Sequence, residues 1–128
     1  MNPAPRAPLR VLIADDEKAV ADTLVMILKA RGYEATAAYS GESALDLAAS
    51  REPDVLISDV VMGGITGIET ANAVLKIVPG CRVLLLSGHL TTADLLKDAE
   101  MQGYRFEILP KPIHPSVLLE YLEKYASL

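Results

Sequence analysis

Residues 10–15 read RVLIAD, and the stretches DVLISD at 54–59 and RVLLLS at 82–87 repeat the same pattern. Each places a short aliphatic run between polar residues, which is typical of strands buried on both faces of a parallel sheet. With two weaker runs, the sequence predicts five strands, at 9–14, 34–38, 55–58, 83–86 and 105–109. The second of these has little aliphatic content, so we expect it at an edge of the sheet.

Amphipathic helical patterns lie between and after these strands. Four of them have clear apolar faces, namely Val20, Leu24, Ile27 and Leu28; Ala44, Leu45 and Ala48; Ile68, Ala71, Val74, Leu75 and Val78; and Leu118, Tyr121, Leu122 and Tyr125. Ser40 is predicted to cap the second helix, and His114 the fifth, with Pro115 at its first position. The fourth helix is predicted to begin near Thr91 and to end at Gly103.

Strands that alternate with helices indicate an α/β fold, with a parallel sheet and helices on both faces. Because parallel crossovers are right-handed, few topologies remain. We predict a doubly wound, five-stranded sheet in the flavodoxin-like order 2-1-3-4-5. Residues 9–128 are predicted to form one domain, preceded by a Pro-rich tail at 1–8.

Composition excludes several classes of protein. The chain has 128 residues, 51% of them hydrophobic, and a net charge of −5, values that argue against disorder and against a nucleic-acid-binding domain. A single cysteine, Cys81, excludes an internal disulfide, and no apolar run is long enough to span a membrane. We therefore expect a soluble cytoplasmic protein without direct contacts to nucleic acid or membrane.

Polar residues follow four of the predicted strands. Asp15 and Asp16 follow the first, Asp59 the third, Ser87 the fourth and Lys111 the fifth. Ligands of open parallel sheets bind at the carboxyl ends of the strands, where the strand order reverses. In the predicted order the first and third strands are neighbours there, so the three carboxylates should meet in one crevice.

Three carboxylates in one crevice repel each other and call for a counter-ion. Oxygen ligands of this kind suit Mg²⁺. With the Lys111 ammonium and the Ser87 hydroxyl, such a site can hold a phosphoryl group. A carboxylate can also act as the nucleophile, and Asp59 is the best candidate because it stands alone at the end of the central strand.

Each of these residues also has a plainer interpretation. Asp15 or Asp16 could cap the first helix, Asp59 could be a loop carboxylate, Ser87 a turn residue and Lys111 a solvated lysine. Their joint position on four strand ends favours a site.

The chain resembles the receiver domains of bacterial response regulators, including the stand-alone regulators of chemotaxis. The resemblance rests on ADDE at 14–17, SDVVM at 58–62, LSG at 86–88 and LPKP at 109–112, and it extends from about residue 9 to the end. Four motifs in this order and spacing are highly specific.

The resemblance implies a phosphoryl switch rather than a turnover enzyme. A histidine kinase or a histidine phosphotransfer protein would donate the phosphoryl group to Asp59, Ser87 would bind it, and Lys111 would pair with it. The peptide bond between Lys111 and Pro112 would be cis. Signalling would run through the face of helix 4, strand 5 and helix 5, to a downstream protein or a second copy of the chain.

The resemblance also implies a metal site for Mg²⁺ or Mn²⁺. Asp16 and Asp59 would bind the ion directly, Asp15 mostly through water, and the backbone carbonyl of Val61 would complete the protein ligands.

Two features depart from the family pattern. Gly63, followed by Gly64, stands where the family usually has proline, which predicts a more mobile loop. Ile108 stands where the family usually has an aromatic residue that moves with activation, and Phe106 lies two residues earlier on the same side of the strand. These departures motivate an alternative, a receiver-like module that binds partners without phosphorylation.

Two further functions fit the fold less well. A flavodoxin-like carrier of FMN needs a phosphate-binding loop after the first strand, where this chain has acidic residues 15–17. A phosphatase of the dehalogenase type needs a second Asp two residues after the nucleophile, where this chain has Val61.

Overall fold

The computed structural model describes residues 8–88, 97 and 106–126. Its elements are β1 (Arg10–Ala14), α1 (Lys18–Ala30), β2 (Glu34–Ala38), α2 (Gly41–Ser50), β3 (Val55–Asp59), α3 (Gly67–Ile77), β4 (Arg82–Ser87), β5 (Glu107–Pro110) and a C-terminal helix (Pro115–Ala126). Apart from Lys97, the predicted fourth helix, from Thr91 to Gly103, lies outside the described residues, as does most of the predicted tail.

The five strands form one parallel sheet in the order β2-β1-β3-β4-β5, so the predicted topology is confirmed. The weak strand β2 lies at an edge, also as predicted. β1, β3 and β4 are buried along almost their whole length, and β3 occupies the centre. This burial explains why their sequences are nearly continuous aliphatic runs.

Alternate strand residues face two separate cores. One core contains side chains of α1 and the C-terminal helix, including Leu24, Leu28, Leu118, Leu122 and Tyr125. The other contains side chains of α2 and α3, including Ala44, Ala48, Ile68, Ala71 and Val74. Helices therefore cover both faces of the sheet, and the predicted apolar faces are the ones that pack, except that Ile27 belongs to neither core.

Local capping matches the sequence in two helices. The Ser40 side chain accepts a hydrogen bond from the Ser43 N–H at the start of α2. His114 Nδ1 accepts one from the Ser116 N–H at the start of the C-terminal helix. The last strand differs slightly from the prediction, since β5 begins at Glu107 rather than at residue 105 and ends at Pro110 rather than at residue 109. The end of a strand beside the site is set by pairing with β4, which apolar patterning does not reveal.

Candidate functional site

The carboxyl ends of β1, β3, β4 and β5 bring the predicted site residues to one edge of the sheet. Asp59 is the last residue of β3, and Asp15 directly follows β1. Ala14 pairs with Ser58, so Asp15 and Asp59 lie next to each other on adjacent strands. Lys111 follows β5, and its backbone N–H donates to the carbonyl of Ser87 at a distance of 2.8 Å.

The three aspartates form a tight cluster. Asp15, Asp16 and Asp59 each offer one carboxylate oxygen, and these oxygens all lie within 4.8 Å of one another. The side chain of Asp15 is 2% exposed and that of Asp59 is 12% exposed, whereas Asp16 is open to solvent. The prediction that these carboxylates converge is confirmed.

Lys111 lies inside this cluster. Its Nζ donates to Asp59 Oδ2 at 2.8 Å and lies 3.4 Å from Asp15 Oδ2. Burial lowers the pKa of Lys111, but the hydrogen bond and charge of Asp59, together with Asp15, outweigh burial and raise the pKa above its usual 10.5. Lys111 is therefore not an ordinary solvated lysine.

The capping interpretation of Asp15 and Asp16 is wrong. The N-cap of α1 is Glu17, which makes no side-chain capping hydrogen bond. Asp15 Oδ1 instead accepts from the Glu17 N–H at 2.9 Å, and Asp16 Oδ2 accepts from the Gly63 N–H at 3.1 Å. Both carboxylates thus turn towards the sheet edge rather than the helix, because their own loop and the loop after β3 supply the donors.

An open cleft of about 290 Å³ lies over the cluster, lined by Asp16, Glu17, Asp59, Val61, Gly88 and Lys111. Val61 is therefore near the carboxylates, as the resemblance implied. Ser87 ends β4, one position beyond Leu86, the partner of Asp59, and it pairs with Pro110 across the sheet. The peptide bond between Lys111 and Pro112 is cis, as expected.

The donor set of the cluster fits a hard divalent cation. All its side-chain ligands are carboxylate oxygens, which Mg²⁺ prefers and softer metals do not. Three carboxylates face a single ammonium group, so the cluster holds two more negative than positive charges. A divalent cation would balance this excess.

Known proteins resemble this chain in sequence and in fold. The sequence model described as the response regulator receiver domain matches residues 11–123. The chain belongs to this family. It is a receiver domain of the two-component signalling type, and domains of this family are signalling modules that interact with histidine kinases and downstream effectors.

Individual relatives agree with the family assignment. Response regulator MprA of Mycolicibacterium vanbaalenii is 31% identical over 112 residues, a match that covers 88% of this chain and 48% of MprA. The chain thus spans about half the length of this curated relative.

Solved receiver structures have the same fold. Chemotaxis protein CheY4 of Vibrio cholerae matches with a TM-score of 0.81 and 30% identity, covering 93% of this chain and 99% of that one. The receiver domain of the hybrid histidine kinase CckA matches with a TM-score of 0.74 and 33% identity, covering 91% of this chain and 97% of that one. A two-component transcriptional regulator AraC from Clostridium phytofermentans matches with a TM-score of 0.80 and 34% identity, covering 93% of each chain.

The receiver resemblance is confirmed, and it favours a receiver over the FMN carrier and the phosphatase. Among the described residues, no helix has the length and apolar character needed to cross a membrane.

The two departures have distinct structural outcomes. Ile108 is 40% exposed on β5, whereas Phe106 is half-buried against the core of α2 and α3. The aromatic ring is therefore packed, and an aliphatic side chain occupies the surface position. Gly64 has a φ of +84°, a conformation that favours glycine, whereas a Cβ at Gly63 would meet nothing within 4 Å.

Two contacts at the site were not evident from the sequence. Gly63 donates to Asp16, and Glu42 of α2 accepts from the Ile65 N–H at 3.1 Å. Glu42 reads as an ordinary acidic residue in the first turn of a helix. The glycine pair gave no sign of these contacts, since it predicted only a more mobile loop.

Proposed function

We propose that Asp59 accepts a phosphoryl group from the phosphohistidine of a histidine kinase or a phosphotransfer protein, with Mg²⁺ or Mn²⁺ bound at the cluster. The observation that carries the proposal is the position of Lys111, whose ammonium group contacts both Asp59 and the buried Asp15. A cation fixed beside a nucleophilic carboxylate is suited to neutralise the oxygens of an incoming phosphoryl group.

The transfer exchanges one bond for another. A carboxylate oxygen of Asp59 attacks the phosphorus, the new P–O bond forms an aspartyl phosphate, and the P–N bond to the donor histidine breaks. The electron pair of that bond leaves on the histidine nitrogen. Lys111, already 2.8 Å from Asp59, pairs with the phosphoryl oxygens, and the Ser87 hydroxyl donates to them.

Asp16, Asp59 and the Val61 carbonyl would hold the metal directly, and Asp15 would act mostly through water. The ion supplies further positive charge next to the phosphoryl oxygens. Asp16 suits a direct role because it is the exposed member of the cluster. Asp15 is the most buried member, and both of its carboxylate oxygens already accept hydrogen bonds, from the Glu17 N–H and from Lys111, which suits an indirect role.

We further propose that the signal leaves through the face formed by the predicted fourth helix, β5 and the C-terminal helix, which is the predicted fifth, to a downstream protein or a second copy of the chain. In its described part, this face includes two exposed apolar side chains, Ile108 on β5, which is 40% exposed, and Val117 on the C-terminal helix, which is 37% exposed. The phosphoryl group needs only to bias two existing conformations. The protein is expected to act in the cytoplasm. Its receiver unit is expected to span residues 9–128, preceded by a tail at 1–8.

Incubation with acetyl phosphate and Mg²⁺, followed by intact-mass measurement, tests this function. We expect the mass to increase by one phosphoryl group, and the increase to disappear with EDTA or in Asp59→Asn. Asp54→Asn is a matched control, because Asp54 is an exposed aspartate at the opposite end of the same strand. No increase, or an increase that survives Asp59→Asn, would favour the module that acts without phosphorylation.

A further inference from the structure

The loop between β3 and α3, residues 60–66, carries part of the proposed metal site. Its ends are held by backbone hydrogen bonds, from Val60 N–H to the Leu86 carbonyl at 3.1 Å and from Gly67 N–H to the Val60 carbonyl at 2.8 Å. The middle of the loop, at Gly63 and Gly64, makes no such bond within the described residues. Its protein contacts within the described residues are therefore made with side chains.

Two carboxylates from other elements hold the middle of the loop. Asp16, after β1, accepts from the Gly63 N–H, and Glu42, on α2, accepts from the Ile65 N–H, both at 3.1 Å. These two donors lie on either side of Gly64, whose φ of +84° makes the turn between them. A Cβ on Gly64 would come within 2.8 Å of Glu42 Oε1, so the carboxylate sits directly against the loop backbone.

Packing between α2 and α3 brings Glu42 within reach of the loop. A Cβ on Gly41 would collide with the side chains of Thr70 and Ile65, so this glycine permits close contact between the helices. Ser40 caps α2 one residue earlier and fixes the direction of its first turn. The bond to Ile65 is also the main reason that the pKa of Glu42 is lowered.

We propose that Glu42 is a positioning residue for the metal site. It holds Ile65 and Gly64, these set the position of the Gly63 N–H, and that N–H orients the Asp16 carboxylate. The same loop carries Val61. This inference rests on the proposed function, since Asp16 and Val61 are its proposed metal ligands.

Two substitutions separate the reach of Glu42 from its charge. Glu42→Asp keeps the charge but shortens the side chain by one methylene, so the acceptor no longer reaches Ile65. Glu42→Gln loses the charge but keeps an acceptor at the same distance. Asp46→Asn is the matched control, an exposed acidic residue one turn along α2 that makes no hydrogen bond to the loop among the described residues.

The measurement is the Mg²⁺ concentration that gives half-maximal phosphorylation by acetyl phosphate, with Mg²⁺ affinity by calorimetry as a second readout. Loss of one hydrogen bond in Glu42→Asp should raise this concentration about 3- to 10-fold, with a nearly normal rate at saturating Mg²⁺. Glu42→Gln should raise this Mg²⁺ concentration by no more than about twofold. Its amide oxygen still accepts the hydrogen bond from Ile65, although a neutral acceptor is weaker than a charged one. Asp46→Asn should match the parent.

An unchanged Mg²⁺ requirement in Glu42→Asp would overturn the proposal. So would a larger effect of Glu42→Gln than of Glu42→Asp, because charge rather than reach would then matter. Failure of the parent protein to become phosphorylated would instead refute the proposed function, and the calorimetric affinities would still test whether Glu42 orders the metal ligands.

Discussion

The two ends of the sheet carry charged clusters of opposite character. At the amino end, the guanidinium of Arg51 donates two hydrogen bonds to Glu34, at 2.9 and 3.0 Å, and Arg10 approaches the same carboxylate at 3.4 Å. Asp54 accepts from the Arg10 backbone N–H. Two positive and two negative side chains meet there, and the paired side chains are 43–61% exposed.

At the carboxyl end, three carboxylates face one ammonium group, and Asp15 and Asp59 are largely buried. Exposed, balanced pairs contribute little to stability and need no further partner. Buried, unbalanced charge is costly until a cation joins it. The comparison indicates that the carboxyl end, where the charges do not balance, is the end suited to bind a cation.

The largest expected difference between the two ends is their response to Mg²⁺. At about 100 times its dissociation constant, Mg²⁺ should raise the free energy of unfolding by about 2.7 kcal/mol. Asp16→Asn should remove most of this gain, and Asp54→Asn none of it. Thermal melts with and without Mg²⁺ measure both, and an equal loss in the two variants would abolish the distinction between the ends.

Removing Lys111 should be the next largest effect. Lys111→Ala leaves Asp15 and Asp59 without their counter-charge, and we expect a loss of about 2 kcal/mol in metal-free buffer, less than for a fully buried pair because Lys111 is partly exposed. Chemical denaturation gives this value. Added Mg²⁺ should restore part of the loss, and a variant as stable as the parent would show that the ammonium does not offset the carboxylates.

The pH dependence of this contribution follows from the raised pKa of Lys111. A group whose pKa is higher in the folded than in the unfolded state stabilises fully below the unfolded value, here about 10.5, and loses its effect as the pH rises through the folded value. The difference in stability between parent and Lys111→Ala should therefore be constant from pH 7 to 9 and shrink above pH 10.5. A difference that shrinks already at pH 8 would contradict the assigned contacts.

A smaller effect is expected in the glycine pair of the loop. Gly64→Ala should lower the free energy of unfolding by about 1–2 kcal/mol, because alanine resists a positive φ and its Cβ would press on Glu42. Gly63→Ala should change it by less than about 1 kcal/mol, since nothing lies near its Cβ. Denaturant midpoints compare the two, and equal costs would mean that the loop conformation differs from the one described.

The smallest effect is expected at the amino end. Arg51→Ala removes a pair that is exposed to solvent, so it should cost about 0.5 kcal/mol or less at low salt, and the cost should fall as salt is added. Denaturation at two salt concentrations tests this. A cost as large as that of Lys111→Ala would remove the contrast between the ends.

Much of the fold could be predicted because the aliphatic runs of β1, β3 and β4 report burial on both faces. Once those strands and the weaker β5 were placed in the predicted order, the parallel arrangement brought Asp15, Asp59 and Lys111 to one edge. The family resemblance added a role for the Val61 carbonyl. Strand order, cluster and cis peptide all agree with what the sequence indicated.

The sequence could not predict contacts between residues that are far apart in the chain and that look ordinary in their local sequence. Asp16 and Gly63 are 47 residues apart, and Glu42 and Ile65 are 23 apart. Neither pair has a local signature, since both bonds depend on how the loop turns at Gly64, and the Glu42 bond also depends on how α2 packs against α3. Capping preference even favoured the wrong partner for Asp15 and Asp16.

The most direct test of the central claim locates the phosphoryl group. Reduction with borohydride after treatment with acetyl phosphate and Mg²⁺ converts an aspartyl phosphate to homoserine, which peptide mass spectrometry can assign to one residue. We predict homoserine at position 59 alone, and none when EDTA is present. Homoserine at Asp15, Asp16 or Asp54, or at none of the aspartates, would contradict the account.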